Sequence, residues 1–411
     1  MMSQRADVAQ GDDDAAQPEP DLVRPFSKTI GEDPAILYAQ LRRTCPVALQ
    51  QGVAGASGRN VSAWLVTRYD DIVAAAADTD TFGQFVRWSD RRRPPLEADP
   101  PEHGPMRALL QPFFMPRALA AFEPISRGLA ESLLQPILES GGGDLARGLC
   151  RPLPPQVLLA RLGQPLEDWE AIKAACEAVY LQGSPDPQDI ELYEAANEQL
   201  WAYSHAVVAD RRRSPRPPNA DLVSALLAGT GGVTPLSDDL AAGVVRLLVA
   251  AGHDSTTSAM GVCLRRIVED VDLQARLRSD PSRIPAAVEE MLRLEAPVLQ
   301  MPRRVRRDTR LGGRQLREGD RVLLVFASGN RDDTAFEAPD TCRIERSPNR
   351  HLSFGVGVHT CIGNGLARQE IRVALQTLLA RTTEIVPAGS SEREFWHPYG
   401  AATLEVRCTP A

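Results

Sequence analysis

Residues 354–363 have the sequence Phe-Gly-Val-Gly-Val-His-Thr-Cys-Ile-Gly, and a helical pattern that runs to about Arg381 begins directly after them. The glycines allow a flat molecule to approach the backbone, because they carry no side chain. Cys361 lies just before the predicted helix, where the helix dipole and unpaired N–H groups lower a thiol pKa. A thiolate here can bind a metal ion. The alternative is a buried structural cysteine, which is the more common role of a lone cysteine.

This loop does not match the glycine-rich phosphate-binding motifs. A dinucleotide-binding GxGxxG would need glycine at position 360, where the chain has Thr360. A Walker loop would need Gly-Lys-Ser or Gly-Lys-Thr at its end, and the sequence does not contain it there. The loop therefore indicates a cysteine site and not a phosphate site.

The loop resembles the haem-binding signature of the cytochrome P450 family, Phe-x-x-Gly-x-x-x-Cys-x-Gly, and residues 366–370, Leu-Ala-Arg-Gln-Glu, resemble its continuation in bacterial members. The resemblance extends from about residue 35 to residue 408. It implies haem b as the cofactor and Cys361 as the thiolate ligand of its iron. It also implies that Phe354 packs over the sulfur and that Gly355 and Gly363 lie beside the haem. A thiolate ligand pushes electron density towards cleavage of the O–O bond.

Glu290 and Arg293 lie three residues apart on a predicted helix, so they share a face and can pair. They resemble the Glu-x-x-Arg pair that anchors the haem-side core in the family, and Arg346 matches the arginine that completes it. The resemblance implies a role in folding and haem retention. The alternative is an ordinary surface pair of a helix, which contributes only ~0.3–0.5 kcal/mol.

Residues 99–103, Asp-Pro-Pro-Glu-His, and Arg107 resemble the family segment that meets the haem propionates. Buried carboxylates need cationic or donor partners, and His103 and Arg107 at i and i+4 could supply them. By the same resemblance, Arg303 and His351 are further propionate contacts, with the adjacent Arg304 as the alternative to Arg303.

Residues 251–256 have the sequence Ala-Gly-His-Asp-Ser-Thr and lie midway along a long helical pattern. They resemble Ala-Gly-x-Asp/Glu-Thr-Thr of the family, which implies that Asp254, Ser255 and Thr256 deliver protons and that Gly252 lets the helix open locally. Ser255 replaces the usual threonine and is less restricted at its first side-chain torsion. This departure bears on how tightly oxygen use is coupled to product formation. The alternative is that these side chains bond back to carbonyls one turn earlier.

The resemblance implies a pocket for a small organic substrate, formed by residues 82–95, about 176–200, 246–255, 294–303 and 394–399. Aromatic side chains in these segments, including Phe82 and Tyr399, would suit an aromatic or flat apolar substrate. The alternative role is packing in the core or in a lid. The candidate contacts are Phe85, Trp88, Arg246, Leu247, Ala250, Ala251, Val298, Phe395 and Trp396.

Arg246 interrupts an otherwise apolar helical pattern. Because a buried charge needs a partner, we expect Arg246 to pair either with an acid of the protein or with an acidic group of the substrate. The sequence leaves both open.

The pattern of elements indicates one mainly helical domain with a small strand-rich lobe, spanning residues 21–411 after a disordered polar tail over residues 1–20. An irregular stretch from Phe82 to Pro101 is expected to be a surface loop. Strand patterns fall at residues 64–66 and 305–327. Helices are predicted at residues 35–43, 70–77, 104–114, 118–140, 165–181, 187–213, 221–227, 240–268 and 284–294, and from about 363 to 381.

The net charge of −8 argues against general binding to nucleic acid or to a membrane surface. The seven cysteines form no CxxC motif, so a structural zinc site is not expected, and the long chain with an odd cysteine count fits the reducing cytoplasm. The N-terminal residues contain no apolar stretch of the length needed for a signal peptide or membrane anchor. The resemblance implies a monomer.

The 411 residues contain no reductase segment, so the resemblance implies electrons from a ferredoxin and its flavin-dependent reductase. Such carriers are acidic and would dock near Cys361. The candidate residues for this docking patch are Arg107, Arg117, Arg346, Arg350, Arg368 and Arg372.

Three functions remain in competition. The first inserts an oxygen atom from O2 into the substrate, and the second performs oxidative coupling or desaturation on the same scaffold without insertion. Asp254 and Ser255 favour both over a peroxide-driven enzyme, which needs no proton relay. The third is a haem-binding sensor or carrier, which would normally have an output domain, and no boundary for one is visible.

Overall fold

The computed structural model describes residues 34–411 apart from 55–59, 85–90, 183, 185, 390 and 395–399. The predicted tail over residues 1–20 and the pocket candidates Phe85, Trp88, Phe395, Trp396 and Tyr399 lie outside the described residues. The helices described are α1 (Pro34–Thr44), α2 (Tyr69–Ala77), α3 (His103–Leu110), α4 (Pro116–Glu139), α5 (Leu153–Leu162), α6 (Trp169–Ala178), α7 (Pro187–Arg213), α8 (Leu222–Ala228), α9 (Asp238–Glu269), α10 (Val271–Ser279), α11 (Ile284–Leu294), α12 (Phe326–Gly329) and α13 (Asn364–Arg381).

The strands are short beside these helices, which confirms a mainly helical fold with a small β lobe. The strands described are β1 (Val47–Ala54), β2 (Asn60–Val66), β3 (Phe82–Gly83), β4 (Gly142–Asp144), β5 (Met301–Val305), β6 (Thr309–Leu311), β7 (Arg314–Leu316), β8 (Arg321–Leu324), β9 (Thr382–Pro387), β10 (Arg393–Glu394), β11 (Gly400–Ala401) and β12 (Glu405–Pro410).

The β lobe is a five-stranded sheet in the order β1-β2-β8-β5-β3, in which only the β2–β8 pair is parallel. Phe82 pairs with Val305 at the sheet edge and is buried in the core of this lobe, so it has a packing role there. A separate antiparallel sheet in the order β4-β12-β9 joins the C-terminal residues to the end of α4.

Helix α9 passes through the centre of the helical body. It packs against α5, α6, α7, α8, α10, α11 and α13, and most of its residues are buried on every side. At 1.5 Å per residue, its 32 residues span ~48 Å. The Ser237 hydroxyl accepts a hydrogen bond from the N–H of Leu240 at 3.3 Å and caps the helix N-terminus.

One face in the middle of α9 is left uncovered. Ala251 is exposed, and Leu247, Ala250 and Ser255 are half-buried, although the helix is surrounded by other elements. We call these four residues the open face of α9. Small or apolar side chains exposed within the body of a protein indicate an internal space that can receive a molecule.

The sequence patterns did not indicate α5, α10 or the β4-β12-β9 sheet. Helix α5 begins Leu153-Pro154-Pro155, and prolines in the interior of a helix usually break it. Proline is tolerated in the first turn of a helix because the N–H groups there have no partner within the helix. This is why the helix continues through the two prolines.

Candidate functional site

Cys361 lies between a 3-10 turn over Gly357–His359 and the start of α13, as predicted. Its N–H donates to the carbonyl of Phe354 at 2.8 Å, which closes the loop. Gly357 has φ +79°, and a Cβ there would lie 2.8 Å from the carbonyl oxygen of Ala76. The glycine therefore permits both the turn and the close contact with the end of α2.

Cys361 is an exposed residue, although its thiol is surrounded by protein groups. Burial raises the pKa of the Cys361 thiol, while the N–H of Gly363 and the charges of Arg107 and Arg368 lower it. The burial effect is larger, so the sequence-based expectation of a lowered thiol pKa is wrong for the protein alone. A bound metal ion would supply the positive charge that deprotonates the thiol.

Phe354 is held in place by two neighbouring side chains. The guanidinium of Arg368 lies over the Phe354 ring, 4.2 Å from its centroid, and the His351 ring lies 5.9 Å away. Arg368 in turn donates to Glu289 at 2.6 and 2.8 Å. The aromatic ring beside the cysteine loop is thus fixed by a cation–π contact.

A polar cluster surrounds Asp99. The Nε2 of His359 lies 3.0 Å from Oδ1 of Asp99, and the N–H of Gln84 donates to Oδ2 at 2.8 Å. Arg306 also pairs with this carboxylate. The ring of His103 meets that of His359 edge-on at 4.5 Å between centroids. Burial, followed by the charges of His359 and Arg107, lowers the pKa of His103 to about 4, so the ring is neutral at pH 7.

Two arginines near this cluster have no acidic partner among the described residues. Arg303 is buried, and its Nη1 donates only to the carbonyl of Pro302, at 2.7 Å. Burial lowers the pKa of Arg303 to about 10, with Asp99 acting against this shift. Arg107 is half-buried beside Cys361. Desolvated guanidinium groups require anions, so these side chains fit a cofactor that carries carboxylates and meets a thiolate.

The structure gives His351 other partners within the protein. Its Nε2 lies 3.0 Å from Oε2 of Glu289, and its Nδ1 accepts from the N–H of Ser353 at 3.2 Å. A propionate contact by His351 would require one of these bonds to be exchanged. His359, which sequence reasoning missed, is the histidine that lies in the His103 and Asp99 cluster. Its position two residues before Cys361 was the available signal.

Glu290, Arg293 and Arg346 form one buried network. Arg293 binds the Glu290 carboxylate through two nitrogens at 2.8 Å each, and Arg346 Nε lies 3.1 Å from both oxygens. Asn349 and the N–H of Arg343 donate to the same carboxylate. The remaining arginine nitrogens bind backbone carbonyls, including those of residues 330, 337, 339 and 341. This is a buried anchor and not an ordinary surface pair.

Asp254 is buried in α9 and pairs with Lys173 of α6. Burial raises the pKa of Asp254, and Lys173 partly lowers it. Lys173 also lies 3.4 Å from Glu177, whose side chain is 41% exposed. The second oxygen of Asp254 has no partner among the described residues. A buried acid is thereby connected through an ammonium group to the protein surface.

The three residues predicted to relay protons lie consecutively on an unbroken stretch of α9. The Ser255 hydroxyl donates to the carbonyl of Ala251 at 2.8 Å, which is the bond to the previous turn that was considered as the alternative. Thr256 is buried. The helix does not open at Gly252, where a Cβ would lie 3.1 Å from Leu158, so this glycine permits close packing of α5 on α9.

The pocket candidates within the described residues fall into two groups. Leu247, Ala250 and Ala251 lie on the open face of α9, and Val298 is half-buried in the segment after α11. Arg246 is 2% exposed, and among the described residues its side chain donates one hydrogen bond, from Nη2 to Oδ1 of Asn197 at 3.4 Å. It pairs with no described carboxylate, so the first of its two expected partners, an acid of the protein, is not found among these residues.

Comparison with known proteins gives consistent matches. A family model described as Cytochrome P450 matches residues 185–398. The mycinamicin IV hydroxylase/epoxidase of Micromonospora griseorubida is 35% identical over 377 residues, covering 87% of this chain and 90% of that protein. Nocardicin C N-oxygenase of Nocardia uniformis subsp. tsuyamanensis is 33% identical over 388 residues, covering 90% and 94%. The crystal structure of CYP109E1 from Bacillus megaterium in complex with testosterone has a TM-score of 0.80 at 29% identity, covering 92% of this chain and 99% of that one.

These matches show that the chain belongs to the cytochrome P450 family, and it is therefore an oxidoreductase of the monooxygenase type. The family is haem-thiolate, which agrees with the exposed residue Cys361 and with Arg107 and Arg303, which have no acidic partner among the described residues. Among the described residues, no helix is both long enough and apolar enough to cross a membrane.

Proposed function

We propose that this chain binds haem b through the Cys361 thiolate and inserts one oxygen atom of O2 into a small organic substrate. The observation that carries the proposal is the exposed residue Cys361 beside Arg107, with the buried Arg303 also lacking an acidic partner among the described residues. A thiolate ligand and two cations are what a metalloporphyrin with two carboxylates requires. Bound haem would supply O2 activation, in which the thiolate favours O–O cleavage.

The described residues can share the task of holding this group. Arg107 and Arg303 provide positive charge for the propionates, and the neutral His103 provides a donor. His359 is held in the same cluster by Asp99. Gly355 and Gly363 leave the cysteine loop without side chains that would obstruct a flat ring.

Protons reach the open face of α9 through a short series of charged side chains. Glu177 is partly exposed, Lys173 lies between Glu177 and Asp254, and Asp254 directly precedes Ser255. Burial raises the pKa of Asp254 and Lys173 counteracts it, and a carboxyl in this position would act as the general acid–base group. The Ser255 hydroxyl would deliver the proton after rotating away from the Ala251 carbonyl.

Electrons would come from a separate ferredoxin and its reductase, with docking on the surface beside the cysteine loop. Arg117 and Arg350 are exposed there and make no ion pair with a described residue. Arg368 and Arg372 pair with Glu289 and Glu123 around a groove of about 280 Å³. Arg346 is committed to the Glu290 network, so it is the weakest of the six candidates for partner contact.

The first test is the carbon monoxide difference spectrum of the dithionite-reduced protein. The wild-type chain should show the red-shifted Soret band of thiolate-ligated haem, and Cys361→Ala should lose it. Cys342→Ala, which removes a half-buried cysteine outside the site, is the matched control and should keep the band. If Cys361→Ala fails to retain haem, Cys361→His can still ligate iron and should bind haem with a different band.

An unchanged band in Cys361→Ala, or no haem in the wild-type protein, would overturn the proposal. Insertion is then separated from coupling or desaturation by turnover under oxygen-18 gas. Label in the product supports insertion, and unlabelled product with a new C–C bond or double bond supports the alternative chemistry.

A further inference from the structure

Arg246 differs from most of the buried arginines because it has no anionic partner among the described residues. Five arginines are buried within the described residues. Arg211, Arg265 and Arg293 each pair with at least one carboxylate, and Arg303 belongs to the cofactor cluster. Arg246 has only the weak bond to Asn197, and its Nε and Nη1 atoms have no partner among the described residues. A guanidinium left in this state costs several kcal/mol, so it indicates a ligand.

The described groups around Arg246 are hydroxyl, amide and thiol groups and the cation Arg93, and none of them is a carboxylate. Asn197 and Tyr193 lie one turn apart on α7, and Tyr180 follows α6; both phenols are close enough to influence the charge on Arg246. Cys176 is also near, but burial raises its pKa well above neutrality, so it is a thiol and not a counter-ion. Burial lowers the pKa of Arg246 only to about 10, so the guanidinium stays charged at pH 7.

Arg246 lies at one end of the open face of α9. It is one turn before Ala250, so the two residues share a side of the helix. The helix rises ~7.5 Å from residue 246 to residue 251 and ~13 Å to residue 255. A molecule that reaches from Arg246 to the predicted oxygen-activating centre near Ala251 and Ser255 therefore needs a body of roughly 8–13 Å.

We propose that Arg246 binds a carboxylate of the substrate, so that the substrates are apolar molecules that carry this group at the end distant from the oxidised carbon. The Asn197 amide and the Tyr180 and Tyr193 hydroxyls surround this position with further hydrogen-bonding groups. That the bound acid is then oxidised rests on the proposed function. The binding of an acid by Arg246 can be measured by itself.

The test uses the full haem-loaded protein and two matched ligands, 6-phenylhexanoic acid and 6-phenylhexanamide. The two have similar shape and differ in charge. Isothermal titration calorimetry should show that the wild-type protein binds the acid at least 10-fold more tightly than the amide. Arg246→Gln should lose this preference and bind the amide as before, and Arg246→Lys should keep part of it. Arg212→Gln, which removes an exposed arginine of α7, is the control and should bind like wild type.

Thermal unfolding separates a binding role from a structural one. Because an unpaired buried charge is removed, Arg246→Gln should be at least as stable as wild type. A clear loss of stability would mean that Arg246 is paired inside the protein, and the proposal would fail. Equal binding of acid and amide by the wild-type protein would overturn it as well.

Asp90 lies outside the described residues, so a variant is needed to decide whether it pairs with Arg246. Asp90→Asn should leave the preference for the acid unchanged. If this variant instead gains acid affinity, Asp90 neutralises Arg246 in the wild-type protein and the inference is wrong. A wild-type chain without haem would contradict the proposed function, whereas the calorimetric comparison of acid with amide would still decide the role of Arg246.

Discussion

Two buried polar regions of this molecule are built in opposite ways. Around Glu290, close to the cysteine loop, both carboxylate oxygens accept several hydrogen bonds, and the two arginines use their other nitrogens on backbone carbonyls. Along α9, an oxygen of Asp254, Nε2 of His253 and two nitrogens of Arg246 have no partner among the described residues.

The difference separates structural polarity from functional polarity. A saturated network holds segments together and offers nothing further to bind. An unsatisfied buried group lowers stability, so its presence indicates a ligand, ordered water or a proton path. His253 illustrates the second case: its Nδ1 lies 3.2 Å from the Cys176 sulfur, but its Nε2 has no partner among the described residues.

The strongest test of the saturated region is Glu290→Ala compared with Glu345→Ala. Each carboxylate contacts two arginines, but the Glu290 side chain is 0% exposed and that of Glu345 is 59% exposed. Glu290→Ala leaves two buried guanidinium groups unpaired and should lower the free energy of unfolding by about 3–5 kcal/mol. Glu345→Ala should cost about 0–1 kcal/mol. Urea denaturation of both variants measures the difference, and similar losses would mean that the Glu290 network is not a special anchor.

The next test removes the charge pair beside α9 by combining Lys173→Met with Asp254→Asn. Replacing a buried ion pair by neutral groups is often neutral or stabilising, so the thermal unfolding temperature should not fall. Turnover should fall about 100-fold, because general acid–base groups contribute at least this much. The measurements are product formation and oxygen uptake with a substrate that the wild-type enzyme converts. Normal turnover in the double variant would exclude Asp254 from proton delivery.

A smaller effect on stability is expected when the pH is lowered, because of Glu289. The exposure of its side chain lies between those of Glu290 and Glu345. Burial raises the pKa of Glu289, but the hydrogen bonds from His351 and Arg368 lower it by more. The net effect is a shift of the pKa from 4.5 to about 2. Since the folded-state pKa is depressed, the stabilisation is complete above about pH 5 and is lost as the pH falls towards 2.

Between pH 7 and pH 3.5, the free energy of unfolding of the wild-type protein should therefore fall by about 1 kcal/mol more than that of Glu289→Gln. Chemical denaturation across this range measures it. Glu345→Gln, with an exposed carboxylate, is the control and should follow the wild-type curve. Parallel curves for wild type and Glu289→Gln would show that the contacts to His351 and Arg368 do not stabilise the carboxylate.

The sequence predicted most long elements because their signals are local. The pattern over residues 240–268 predicted α9, which is observed as Asp238–Glu269. The glycine-rich loop that ends at Gly363 predicted the start of α13. Helix α5 was missed because its prolines fall in the first turn. The sheet containing β4 and β12 was missed because it joins segments more than 250 residues apart.

For the site, the sequence by itself determined which residue types stand at which spacing, and this was enough to recognise the cysteine loop and the Glu290–Arg293 pair. Only the tertiary structure decided which charges are neutralised. His351 is occupied by Glu289, His359 joins His103, and Arg246 meets no described acid. The physical reason is that desolvation and Coulomb energy depend on neighbours brought from distant parts of the chain, and spacing along the sequence does not record those neighbours.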